Sequence, residues 1–393
     1  MDILCRVCPL RRFCYAGSMS LDTLARRVAA LARRLPRPLL AWYDRTRRDL
    51  PWRRNRDPYA VWIAEVMLQQ TQVKTVEPYY RRFLRRFPNA ISLARAPLED
   101  LLQLWAGLGY YRRAEHLHAA AKMLASEFGG KLPRSSVDLL RLPGVGRYTA
   151  AAIASIAFEE PVAVLDGNVN RVLSRLLGRT LAQAQGWDAA QRLVPRSRPG
   201  DYNQALMELG ATLCTPAHPA CPACPVKNFC LAYRTGDPAR LPRARLKPEP
   251  KKLRRLVLVL TRRGRVLLLK RPGRGLWAGL WEFPAFAPFA GGGGPRLSEA
   301  LGERLGLRLK LAPGRLSVKH QLTHRAVCCE VVRGRDLGGR KDRVLLPACD
   351  RGRYQASRWI EPARLRELPV SALTLKIARA TGIQAAALAG SRA

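Results

Sequence analysis

The chain has 393 residues, 48% hydrophobic and 25% charged, which suits two or three globular domains with their own cores and excludes wholesale disorder. Its 69 Lys+Arg against 29 Asp+Glu give a net charge of +40, an excess that attracts polyanions, nucleic acid first; since only 12 of the basic residues are lysine, part of it is coding bias. No apolar run reaches the roughly 18–20 residues of a membrane helix, and Arg6, Arg11 and Arg12 interrupt any signal-like start, so a cytoplasmic, nucleoid-associated location and no membrane partner are expected.

In chain order, residues 1–19 fit no element. They carry Cys5, Cys8 and Cys14 without a fourth ligand and read as a disordered N-terminal extension. From 20 to 235 the pattern is helical, with Ala/Leu/Arg-rich segments punctuated by proline and glycine. Residues 236–252 are rich in Pro, Lys and Arg and read as a linker. From 253 to 383 the texture changes. Leu253–Thr261 and Val266–Leu269 flank a turn at Arg262–Arg265, which predicts a hairpin. Gly291–Gly294 is a loop, Leu297–Leu305 a helix, and Ala326–Val332 and Gln355–Ile360 further strands. Residues 384–393 form a tail. Ten cysteines in such a chain favour metal ligation or free thiols over disulfides.

Four motifs carry chemistry. In Pro58–Val73, helical spacing puts Glu65 on one face with Val61, Trp62, Leu68 and Gln69. A carboxyl among those side chains loses hydration, so its pKa rises and it can hold a proton near neutral pH. Gln69, Gln70 and Gln72 are amides suited to base edges. The plain alternative is a surface glutamate on an amphipathic helix. In Asp138–Ile153, a helical segment meets Pro143, turns through Gly144, Val145 and Gly146, and starts a new helix whose free N–H groups suit a DNA phosphate. An ordinary glycine turn between helices is the alternative. In Leu165–Val169, Asp166 is either a simple N-cap or a carboxylate kept ionised by N–H donors, facing a cationic transition state. Finally, Cys214, Cys221, Cys224 and Cys230 lie within 17 residues; four thiolates so spaced suit a metal centre, and spacing alone leaves iron–sulfur and zinc both open.

These motifs, in this order over about Leu21–Arg234, resemble the endonuclease III superfamily of base-excision glycosylases. Within it the chain is most similar to the adenine DNA glycosylase family, through Leu50-Pro-Trp-Arg53, Glu65–Val73, Gly107-Leu-Gly-Tyr-Tyr111 and Asp166-Gly-Asn-Val169. The resemblance implies a [4Fe-4S] cluster on the four cysteines. It implies that Glu65 protonates a flipped-out adenine, that Asp166 stabilises the oxocarbenium-like sugar, and that Asn168 positions Asp166. Bifunctional relatives carry lysine at position 148 to form a Schiff base; Tyr148 cannot do so, which predicts a monofunctional enzyme. Trp52, Arg53 and Glu208 would line the adenine pocket, and Gln70, Thr71 and Tyr110 would probe the opposite 8-oxoguanine.

The C-terminal part resembles Nudix folds through Gly275–Pro284. Of the acidic residues a magnesium-dependent Nudix hydrolase needs, only Glu303 remains, with Ala300 and Arg304 in two of their places, so pyrophosphate hydrolysis is not expected. In the adenine glycosylases this domain recognises 8-oxoguanine, through a segment that His320–His324 resembles; Leu322 and Thr323 stand where the family carries Phe and Ser. Cys328, Cys329 and Cys349 are expected to be core thiols. The expected architecture is therefore multidomain: an all-α helix-hairpin-helix glycosylase domain with an iron–sulfur loop, followed by an α+β Nudix-like domain. The expected partner is double-stranded DNA containing a mispaired adenine, bound by a monomer. A pyrimidine glycosylase/lyase and a non-catalytic lesion binder are the competing readings.

Overall fold

The computed structural model describes residues 21–243, 249–288, 295–338, 344–349 and 352–383. The expected extension 1–19, the loop Gly291–Gly294 and the tail 384–393 lie outside the described residues. The chain folds as two compact units. One takes the described residues of Met1–Glu65, Pro133–Arg141 and Val145–Arg245; the other takes those of Val66–Leu132, Leu142–Gly144 and Leu246–Ala393. Among the described residues no helix is long and apolar enough to cross a membrane.

The first unit is helical throughout. Its central helix, Pro199–Thr212, starts with proline at the first helical position, where the missing N–H costs nothing. Two glycines let this helix approach its neighbours. A Cβ on Gly200 would stand 2.4 Å from the carbonyl oxygen of Ser155 and 2.7 Å from Cα of Ile156, so the helix Arg147–Phe158 touches it backbone to backbone. A Cβ on Gly210 would stand 2.8 Å from Cβ of Asn168. Between them Asn203, fully buried, donates to Ser155 Oγ (2.9 Å) and to the Val162 carbonyl (2.8 Å). It thereby ties the segment leading into Asp166 to the same helix. A buried amide left unpaired would cost about 1–3 kcal/mol, so this pairing fixes one arrangement.

In the second unit, the helices Val73–Arg86, Leu98–Trp105 and Arg112–Glu127 enclose Phe83, Phe87 and Trp105, all buried, with Phe83 edge-on to both other rings. Its C-terminal part is built on an eight-stranded sheet with a separate two-stranded ribbon, and helices pack on the sheet. The strands are β1 (Lys251–Arg262), β2 (Arg265–Lys270), β3 (Trp281–Glu282), β4 (Ala285–Phe286), β5 (Leu309–Leu311), β6 (Leu316–Leu322), β7 (Arg325–Asp336), β8 (Ala348–Cys349), β9 (Gly352–Arg353) and β10 (Ala356–Ile360). The main order is β10-β2-β1-β7-β5, with β1 and β7 parallel from Lys251↔Arg325 to Thr261↔Arg335. The predicted hairpin is the β1–β2 pair.

Residues 256–260 of β1 read as an unbroken apolar run because both faces of the strand are covered there. Val257 and Val259 join one core, which the helix Ala372–Ala380 closes through Leu373 and Ile377. Leu256, Leu258 and Leu260 join the other, closed by Leu297, Leu301 and Leu305 of the predicted helix, observed at Pro295–Leu305. Of Cys328, Cys329 and Cys349, all expected in the core, Cys329 alone is buried; Cys328, its neighbour on β7, points to the opposite face and is half-buried, as is Cys349 in the short ribbon. Glu282, from the Nudix-like motif, is committed to the domain's own core, accepting from Arg255 (2.7 Å), Arg271 (2.7 Å) and Tyr354 (2.5 Å).

Candidate active site

The helix Pro58–Leu68 that carries Glu65 is buried almost all round: Tyr59 to Met67 are each at most 7% exposed, Glu65 itself 6%. A surface position is thereby ruled out. Burial pushes the Glu65 carboxyl up to about 7, and the nearby Asp166 charge adds to the rise; a hydrogen bond from Tyr148 and the Arg53 charge oppose it. The helix ends at Leu68, so Gln69 does not share the Glu65 face as its spacing suggested. It belongs to the turn beyond, where the Thr71 N–H donates to the Leu68 carbonyl (3.2 Å).

Asp166 caps the helix Gly167–Leu176, accepting the Val169 N–H at 2.7 Å, while Asn168 Nδ2 stands 3.4 Å from its other oxygen. The expectation that N–H donors hold this carboxyl low is corrected: burial outweighs them, and its pKa lies above the ordinary aspartate value. Asn168 in turn accepts from Arg171 (2.9 Å), whose guanidinium also donates to the carbonyls of Gly210 (2.8 Å) and Cys214 (2.8 Å). Tyr148, on the helix Arg147–Phe158, faces both acids, and burial raises its phenol well above the ordinary value. Its hydroxyl lies 3.1 Å from Met207 Sδ.

Beside this group Glu208, 1% exposed, is held by two arginines. Arg48 donates at 2.6 and 2.7 Å, and Arg53 at 2.8 Å. Burial alone would raise this carboxyl, but the two guanidinium groups overcome it and hold it at about 2. Trp52 is buried next to Arg53 in the turn Pro51–Arg53. Arg48 had no sequence signal, being one arginine among many.

The helical hairpin forms as its sequence predicts. Gly144 sits at φ +77°, where a Cβ would also meet the His116 side chain at 2.4 Å. Val145 is buried, and Gly146 precedes the helix Arg147–Phe158 with no side chain capping its first N–H groups. These donors are available to an anion.

In the second unit two turns carry non-glycine residues at positive φ, Gln70 (+56°) and Tyr110 (+48°), a conformation that costs energy and clusters at functional positions. Arg113 joins the turns. It donates to the carbonyls of Val66 (2.7 Å), Met67 (2.9 Å), Gln69 (2.6 Å) and Gly109 (3.2 Å) and to Thr71 Oγ (3.2 Å), and stacks over Tyr110. The Tyr110 hydroxyl is hydrogen-bonded to Thr323. The structure thus brings Gln69, Gln70, Thr71, Tyr110 and Thr323 into one group, with Leu322 half-buried against the domain core.

The four cysteines line one hollow together with Arg175. Arg175, 2% exposed, donates to Cys214 Sγ (3.2 Å) and to the carbonyls of Thr215 (2.7 Å), Pro216 (2.8 Å) and Leu241 (2.9 Å), which makes it the organiser of the loop. Four cysteine thiols around one hollow are a donor set that suits a metal centre, an iron–sulfur cluster among them.

The HhH-GPD superfamily of base excision DNA repair proteins matches residues 63–185, and the NUDIX domain matches residues 256–380. Adenine DNA glycosylase of Mus musculus is 43% identical over 305 residues, covering 63% of this chain and 59% of that protein. Adenine DNA glycosylase of Buchnera aphidicola subsp. Baizongia pistaciae is 38% identical over 257 residues, covering 63% of this chain and 72% of that protein. A solved thermostable thymine-DNA glycosylase is 30% identical, with a TM-score of 0.49 over 54% of this chain and 99% of the other. The chain therefore spans less than two thirds of its Mus musculus relative and nearly three quarters of the Buchnera one. The two matched segments put it in the helix-hairpin-helix class of base excision repair proteins, with a Nudix-like domain appended. Within that class, the chain belongs to the adenine DNA glycosylase family.

Proposed function

We propose that the protein hydrolyses the N-glycosidic bond of adenine mispaired with 8-oxoguanine, or with guanine, in double-stranded DNA, acting as a monomer on the nucleoid. The observation that carries this reading is a buried glutamic acid able to hold a proton near neutral pH, with a second carboxyl and a phenol beside it. An adenine inside a duplex is out of reach, so the base must be extruded. Glu65 then gives its proton to a ring nitrogen of adenine, making the base a neutral leaving group. Positive charge develops on the sugar, and Asp166, fixed by Val169 and Asn168, stabilises it electrostatically until water adds.

Around this pair, Trp52 and Arg53 hold the purine, and Glu208 acts through Arg53 by fixing its guanidinium. Tyr148 has no amine to attack the sugar, so the reaction stops at the abasic site. Gln69, Gln70, Thr71, Tyr110, Leu322 and Thr323 read the base opposite, and the N–H groups after Gly144, Val145 and Gly146 hold a backbone phosphate. Cys214, Cys221, Cys224 and Cys230 would hold a [4Fe-4S] cluster, which supplies a rigid centre for the loop when bound. The test is single-turnover excision on a duplex with adenine opposite 8-oxoguanine. The wild type releases adenine, and Glu65→Gln binds the duplex but excises roughly a hundred- to ten-thousandfold more slowly. Unchanged excision by the variant, or release of a pyrimidine with strand cleavage, would overturn the reading.

A further inference from the structure

Tyr148 has one proton and two neighbours that can accept it. Its hydroxyl donates to Met207 Sδ at 3.1 Å and stands beside the Glu65 carboxyl, whose charge it feels. Two charge states of Glu65 divide that proton differently. An ionised carboxylate is a far better acceptor than a thioether, so it takes the phenol proton. A protonated Glu65 instead has a proton of its own to donate. It can place that proton on the phenol oxygen only if the phenol proton points elsewhere, and the thioether sulfur stands where that proton must go.

We propose that Met207 is a positioning residue that accepts the Tyr148 proton whenever Glu65 carries its own, and so favours the proton-loaded acid over the ionised one. The relay is Glu65 to Tyr148 to Met207, each hydroxyl donating onward, and it reverses at its first link when Glu65 ionises. No bond is made or broken other than the transfer of one proton to or from Glu65. The titratable and charged groups facing Glu65 are Tyr148 from the helix Arg147–Phe158, Asp166 at the start of Gly167–Leu176, and Arg53 from the turn Pro51–Arg53. Met207 comes from the helix Pro199–Thr212 and reaches Glu65 through Tyr148. Replacing it changes none of the charges. The inference rests on the reading of Glu65 as the acid for its consequence in catalysis, although the proton relay itself does not require it.

The variant is Met207→Leu, which keeps the volume and removes the acceptor. The protonation of Glu65 is followed in the full-length protein by infrared difference spectroscopy of its carboxyl band against pH, with Glu65→Gln identifying the band. In Met207→Leu the midpoint falls by roughly half to one pH unit, the shift expected when one neutral hydrogen bond is lost from only one protonation state. In a Tyr148→Phe background, where the relay has no middle link, Met207→Leu causes no further shift. The same midpoint with and without Met207, or an equal shift in the Tyr148→Phe background, would overturn the inference and reduce Met207 to a packing residue. Either outcome is independent of whether Glu65→Gln excises adenine, so failure of the relay and failure of the proposed function are told apart.

Discussion

Glu65 weakens the folded state as pH rises. Its ordinary value is 4.5 and its folded value about 7, so the native protein binds this proton more tightly than the unfolded chain does. The penalty is absent below the ordinary value, grows between the two, and is complete above about 7, where it is on the order of 3 kcal/mol. Glu65→Gln therefore stabilises the protein at pH 8 and not at pH 4.5, an effect that urea unfolding at the two pH values reads directly. A variant no more stable than the wild type at pH 8 would mean the carboxyl is better solvated than its 6% exposure indicates. The acid was legible in the sequence because its helical neighbours Val61 and Trp62 are apolar. Arg48, Arg113, Arg171 and Arg175 were not legible. In a chain with 69 basic residues, nothing marks the few whose guanidinium groups turn inward to carboxylates and carbonyls. The elevated pKa of Asp166 was missed for a related reason: counting its N–H donors says nothing of the burial that competes with them.

The elements were easier to read than their packing. The run of valine and leucine in β1 announced a strand, and the Pro-Gly-Val-Gly turn announced the hairpin, since both are local signals. The end of the Glu65 helix at Leu68 was hidden, because Gln69 and Gln70 are good helix formers and the turn that stops it depends on Arg113, which is 44 residues from Gln69. β6 was also hidden, with Val318 its one buried residue. What sequence could not supply was the close crossing of Pro199–Thr212 over Arg147–Phe158. There Gly200→Ala puts a methyl group against the Ser155 carbonyl, which predicts a loss of about 1–3 kcal/mol in chemical denaturation. Wild-type stability in that variant would show that the two backbones do not touch.

On the scale of the whole molecule, each unit contains a chemically distinct group. The first holds Glu65, Tyr148, Asp166 and Glu208 together with the cysteine loop, and the second holds the strained turns at Gln70 and Tyr110 with Thr323. The net charge of +40 makes DNA a natural partner without choosing a reaction, and the choice falls to a single proton. The pH dependence of single-turnover adenine excision is the most direct test. The account predicts a rate that declines about tenfold per pH unit above about 7, as Glu65 loses its proton before the base arrives. A rate that stays level from pH 7 to pH 9 would contradict it.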